Sequence, residues 1–107
     1  MKTILCNAFS LQMLDLDCAN KVNIRPLSQT ETTLILEKGF ESAIGHESTA
    51  DVLSNKLKLD VKTNRVNVKL DGDTELIVAQ FVGGRLPEGA TTLPDNMQIK
   101  FVLVSLD

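Results

Sequence analysis

Residues 64–82 read NRVNVKLDGDTELIVAQFV. The first seven alternate in polarity. Arg65, Asn67 and Lys69 fall on one face of an extended chain and Val66, Val68 and Leu70 on the other, the period of a half-buried strand. Asp71-Gly72-Asp73 is turn chemistry. TELIVAQFV (74–82) is an almost unbroken apolar run, as expected of a strand covered on both faces. The stretch therefore predicts a β-hairpin, broken after its second strand by Gly83 and Gly84.

Three further strands are predicted around that hairpin. QIKFVLVSL (98–106) is apolar enough for a central position. KTILC (2–6) is a short first strand. In NKVNIRPL (20–27), Val22 and Ile24 alternate with polar residues until Pro26, which is expected to end the strand. NAFSLQML (7–14) offers Asn7 and Ser10 as turn or capping residues, with Leu11 and Leu14 at the spacing of a short helix or turn.

SQTETTLILEKG (28–39) contains strand formers, yet Ser28 and Glu31 have capping-box spacing, Lys38 falls in the last turn and Gly39 just beyond it. A helix is predicted. FESAI (40–44) reads as one more helical turn, stopped by Gly45. Another helix is predicted after His46, with Ser48 and Asp51 as a second capping box and Ala50, Leu53 and Leu57 as its apolar face. RLPEGATTLPDN (85–96) is a loop or short helix. The chain has no repeats and no linker. It is expected to be one domain over 1–107, of α+β class: a mixed sheet of about five strands flanked by helices.

Composition narrows the function. The 107 residues are 43% hydrophobic and 23% charged, sufficient for a packed core. A chain this short leaves much apolar surface uncovered, so a homodimer is expected. A net charge of -3 argues against general binding of DNA or RNA backbone. It leaves room for a small anion held by a few arginines. Cys6 and Cys18 form no metal-ligating pattern, so neither a metal nor another cofactor is expected. No run reaches the ~20 apolar residues that span a bilayer. The expectation is a cytoplasmic protein with reduced thiols and no membrane partner.

The only histidine, His46, stands in SAIGHESTADVL (42–53) at a helix mouth, where free N–H groups and the macrodipole attract anions. A lone histidine is more often a surface residue. Here Gly45 before it would let a ligand approach the backbone closely. Ser48 and Thr49 are either cappers or phosphate contacts. Arg65 lies on the polar face of its predicted strand. Gln80 interrupts an apolar run and would need a partner. Arg85 and Glu88 have the spacing of a turn with a surface ion pair. One proton donor with arginines suits cleavage of RNA by its own 2′-hydroxyl, which needs alignment, phosphate neutralisation and a proton for the leaving oxygen.

NAFSLQML, SAIGHESTADVL, NRVNVKL, IVAQF and RLPEGA occur together, in order, across nearly the whole chain. In this combination the sequence resembles the anti-CRISPR ring nucleases of viruses, also present in bacteria and mobile elements. These enzymes destroy cyclic tetra-adenylate, the second messenger of type III CRISPR defence. The resemblance implies a small mixed sheet flanked by helices, working as a homodimer. It implies metal-independent cleavage to linear di-adenylates ending in 2′,3′-cyclic phosphate. His46 matches the general acid, Arg85 the residue that holds the scissile phosphate, and Glu88 the carboxylate that orients the histidine. Asn7, Ser10, Arg65 and Gln80 match positions lining the nucleotide cavity, and Ser48 and Thr49 flank the acid. The alternatives are a protein that sequesters the cyclic nucleotide without cutting it, or a protein-interaction module.

Overall fold

The computed structural model describes residues 1–107. Five strands and two helices follow in the order β1 (Lys2–Cys6), β2 (Val22–Leu27), α1 (Gln29–Glu37), β3 (Glu41–Ser42), α2 (Glu47–Leu57), β4 (Thr74–Val82) and β5 (Gln98–Leu106), with a 3-10 turn at Leu11–Met13. They form one mixed sheet in the order β2-β5-β4-β1-β3. β5 is antiparallel to both β2 and β4, whereas β1 is parallel to both β4 and β3. The expected α+β class and sheet of about five strands are both present.

The predicted hairpin is not. Residues 64–70 form no strand, and β4 takes β5 as its antiparallel partner. β4 has two edges, and more apolar strands hold both: KTILC on one side and QIKFVLVSL on the other. The 64–70 segment instead gives its donors to loops. The Asn64 N–H donates to the Ile44 carbonyl and the Leu70 N–H to that of Met13, each at 2.8 Å. The Asp-Gly-Asp turn survives: the Asp71 carboxylate accepts from the Asp73 N–H and the Thr74 hydroxyl, launching β4.

FESAI is likewise not helical. Gly39, at φ +118°, ends α1 and reverses the chain, and Glu41–Ser42 then pair with β1. Fully buried Ile44 bridges to Thr63. β2 runs through Pro26 to Leu27 rather than ending there; at a sheet edge a residue without an N–H is tolerated. Ile24, expected on a half-buried face, is 59% exposed.

α1 forms despite its strand formers because its cap is complete. Ser28 Oγ accepts from the Glu31 N–H, and the Ser28 N–H donates to the Glu31 carboxylate. Hydrogen bonding from the Ser28 N–H, then from its hydroxyl, with Arg25 adding to it, holds the Glu31 carboxyl below its ordinary range. α2 begins directly after His46, as expected, but Ser48 does not cap it. His46 is its N-cap, and Ser48 lies inside the helix.

Both helices cover one sheet face. Leu36 of α1 and Ala50, Leu53 and Leu57 of α2 pack with Leu5, Ile77 and Phe101. The other face, with Ile4, Cys6, Leu76, Val78 and Val104, is covered by irregular chain through Leu14 and Leu70. Fully burying one such leucine contributes roughly 1.5–3 kcal/mol.

Two backbone positions give opposite stability tests. Lys58 caps α2 in the left-handed region at φ 58°, where glycine carries no Cβ penalty. Lys58→Gly is expected to raise stability by about 0.5–1 kcal/mol. At Gly83, φ +105°, a Cβ would stand 2.5 Å from the Asn96 carbonyl oxygen. Gly83→Ala is expected to cost roughly 1–3 kcal/mol. Urea midpoints measure both, and shifts of the same sign would contradict this account.

Candidate functional site

β1, β3 and β4 run in one direction, so their carboxyl ends lie along one edge of the sheet. Asn7 follows β1, Gly45 and His46 follow β3, and Gly83 to Glu88 follow β4. Leu5 lies opposite both Ser42 and Ile77, and β4 continues past the end of β1. Gln80 is therefore beyond cover and exposed, opposite Lys100. It is not the buried amide the sequence suggested; its Nε2 donates only to the Phe81 carbonyl, at 3.3 Å.

His46 has extended backbone angles, and its carbonyl accepts the first bond of α2 from Ala50 at 3.0 Å. Its imidazole makes no capping bond and is exposed. The first-turn N–H groups of α2 thus lack a side-chain acceptor, the arrangement that receives an anion. Glu47 adds a negative charge at the same mouth. Ser48 is not the cap; its hydroxyl accepts from the Gly89 N–H at 3.0 Å. Thr49 is 8% exposed and belongs to the interior.

Arg65 comes to the same place from the other side. Its Cγ and Nε lie 3.6 and 3.7 Å from where a Gly45 Cβ would stand, so the side chain lies across Gly45. The space at Gly45 is filled by this arginine. The three ion pairs are Lys2–Glu41, Arg25–Glu31 and Lys62–Asp60, all at other positions. Arg65 and Arg85 are consequently unpaired. The expected Arg85–Glu88 ion pair is absent, and Glu88 forms none with His46.

Asn7 and Ser10 line an open cavity of about 820 Å³ between residues 6–17 and 66–70. Cys6, Leu14, Ala43 and Leu70 are among its apolar lining. Ser10 caps the 3-10 turn, as its sequence context indicated, accepting from the Gln12 N–H at 3.2 Å. Val66 lines the cavity while its neighbour Arg65 lies over Gly45, so cavity and helix mouth adjoin. Sequence reasoning did not assign Gln12, Asn67 or Lys69 to this lining. The signal for the latter two was their placement on the same predicted face as Arg65. Asp15 and Asp17 also line the cavity and oppose an anion. No three His, Cys, Asp or Glu side chains converge as metal ligands would, and no helix is long and apolar enough to cross a membrane.

This is a single-sheet α+β domain with its polar cluster at the carboxyl ends of parallel strands, where open α/β sheets commonly bind ligands. The chain belongs to the STIV B116-like family, whose model matches residues 3–103. B116 of Sulfolobus turreted icosahedral virus shares the fold with a TM-score of 0.80 and 27% identity, over 98% of this chain and 99% of that one. Over 69 residues the chain is 33% identical to Uncharacterized protein 26 of Sulfolobus islandicus filamentous virus (isolate Iceland/Hveragerdi). That match takes in 64% of this chain and spans 58% of the relative's length.

The cysteines give a chemical probe of the cavity wall. Cys6 is 3% exposed and burial pushes its thiol up to about 11. Cys18 is exposed, its thiol raised chiefly by a hydrogen bond to Asp15. A thiol reagent at pH 8 is expected to modify Cys18 in the folded protein and Cys6 only after denaturation. Asp15→Asn is expected to speed the Cys18 reaction. Rapid modification of both thiols in the native state would contradict the closed packing around Cys6.

Proposed function

We propose that the protein is a ring nuclease of the host cytoplasm that cuts cyclic tetra-adenylate without a metal and so switches off type III CRISPR signalling. The observation that carries this reading is the surroundings of His46. The sole histidine stands exposed at a helix mouth without a side-chain cap, beside unpaired Arg65. The loop bearing Arg85 and Glu88 is tied to the first turn of the same helix through Ser48.

In the proposed step, a ribose 2′-hydroxyl attacks the adjacent phosphorus. The new 2′-O–P bond closes a 2′,3′-cyclic phosphate while the P–O5′ bond breaks. His46 gives its proton to the departing 5′ oxygen, and imidazole is suited to proton transfer near neutral pH. Arg85 neutralises the phosphate oxygens, where charge concentrates in the transition state. Glu88 supplies a carboxylate that favours the charged imidazole. Arg65, Asn7, Ser10 and Gln80 hold the ring. Two cuts on opposite sides release two linear di-adenylates.

A ring with approximate two-fold symmetry suits a homodimer that presents each residue twice about one axis. The sheet face without helices leaves Ile24 59% and Val82 41% exposed, apolar surface such a partner would cover. Binding without cutting is the competing reading, and the absence of a His46–Glu88 ion pair favours it.

Incubation with cyclic tetra-adenylate should yield linear di-adenylates in excess EDTA, and a ring with 2′-deoxy sugars at the scissile positions should bind uncut. His46→Ala should retain binding and lose at least about 100-fold in rate, roughly 2.7 kcal/mol of barrier. Binding with no cleavage by the unaltered protein would establish the sequestering alternative; cleavage of the deoxy ring would refute the mechanism. Light scattering should report about twice the 11.7 kDa chain mass. Ile24→Asp with Val82→Lys should shift the protein toward monomer and abolish cutting, and a monomer that still cleaves would exclude the shared site.

A further inference from the structure

Residues 83–97, between β4 and β5, carry Arg85 and Glu88 and contain no helix or strand. A structureless connection this long is uncommon in a compact domain. Three points fix it. At its base, Gly83 passes so close to Asn96 that only glycine fits, and the Met97 N–H donates to the Pro94 carbonyl at 3.0 Å. At its middle, the Gly89 N–H donates to Ser48 Oγ at 3.0 Å. Beyond that, Asn55 Nδ2 donates to the Thr91 carbonyl.

The last two points lie on one helix. Ser48 and Asn55 are seven residues apart, two turns, so they share a stripe of α2. Along the axis they are separated by about 10 Å. Gly89 and Thr91 are two residues apart, about 7 Å when extended, and side-chain reach covers the difference. The loop therefore runs along α2, and the N-cap of that helix is His46.

We infer that Ser48 and Asn55 are positioning residues, a two-point latch by which α2 holds the Arg85–Glu88 loop in register with His46. The acid and the phosphate-holding arginine then share one rigid reference. Ser48 acts through its bond to the loop rather than as the capper or phosphate contact between which its sequence context left the choice open, and Asn55 acquires a role that no motif indicated. The consequence for cleavage rests on the ring-nuclease reading; the latch itself does not.

The test uses the full-length protein with Ser48→Ala, Asn55→Ala and Ser48→Thr, each first shown to melt cooperatively. In ligand-free protein, hydrogen exchange across residues 86–92 is expected to quicken in both alanine variants and to recover in Ser48→Thr, with residues 98–106 unchanged as internal control. Trypsin should cut faster after Arg85. Unchanged exchange and proteolysis in both alanine variants would overturn the latch. In single-turnover cleavage, each alanine variant is expected to lose roughly tenfold in rate with little change in ring affinity, since misplacement by about 1 Å can cost up to 100-fold. Faster exchange with unaltered cleavage would overturn the positioning role. Weaker ring affinity from Ser48→Ala with unaltered exchange would make Ser48 a ligand contact instead. If the unaltered protein does not cleave the ring, the enzymatic reading fails while exchange still decides the latch.

Discussion

β1 is hydrogen-bonded on both sides to strands running its own way, β4 on one flank and β3 on the other. Parallel neighbours cannot be joined by a tight turn, so the chain must leave the sheet and return between them. Those excursions supply α1 and α2, which pack on the same face. The opposite face is left to the loops around Leu14 and Leu70. Shared direction also puts Asn7, His46 and the start of the 83–97 loop at one edge. A slip of one residue in β1 would exchange Leu5 with Ile4 and Cys6 across the sheet. It would remove a side chain from each core at once, which makes the register strongly determined.

Charge is distributed in the same economical way. The ion pairs on the surface engage Lys2, Arg25 and Lys62 and are largely exposed, so each contributes little to stability. Arg65 and Arg85 are left without carboxylates at the edge where α2 presents its free N–H groups. In a chain of net charge -3, these two cations and the helix dipole share one edge, with Glu47 as a negative charge at the same mouth. Asp15 and Asp17 add negative charge to the cavity wall.

What the sequence disclosed divides along physical lines. KTILC, TELIVAQFV and QIKFVLVSL declared themselves because a strand covered on both faces has little composition but apolar to choose from. The Ser28–Glu31 capping box was equally plain, since both of its bonds are local. NRVNVKL misled because alternation reports which side would face a core but not whether a partner edge is free. Ser48 misled for a related reason: its spacing to Asp51 suits a cap, but the His46 carbonyl already receives the Ala50 N–H, so the helix starts earlier. At the site, His46 stood out as the sole histidine at a helix mouth, while Arg85 and Glu88 took their roles from the family resemblance; the structure brings the loop bearing Arg85 and Glu88 to the helix of His46. The lie of Arg65 across Gly45, and the hold of α2 on Thr91, join residues far apart in the chain and left no local pattern to find.

The groups of the site differ in how firmly the fold holds them. His46 is bracketed within a few residues by fixed backbone: the Ile44–Thr63 bridge precedes it, and its own carbonyl begins α2. Asn7 follows directly from the end of β1. Arg85 and Glu88 instead ride on an irregular segment whose contacts with α2 are single, solvent-exposed hydrogen bonds. Such bonds contribute only about 0.5–1.5 kcal/mol each, so the segment can open at small cost while the sheet and helix stay intact. His46 is thus set by the sheet and α2, and Arg85 by a segment tied to α2 at two points.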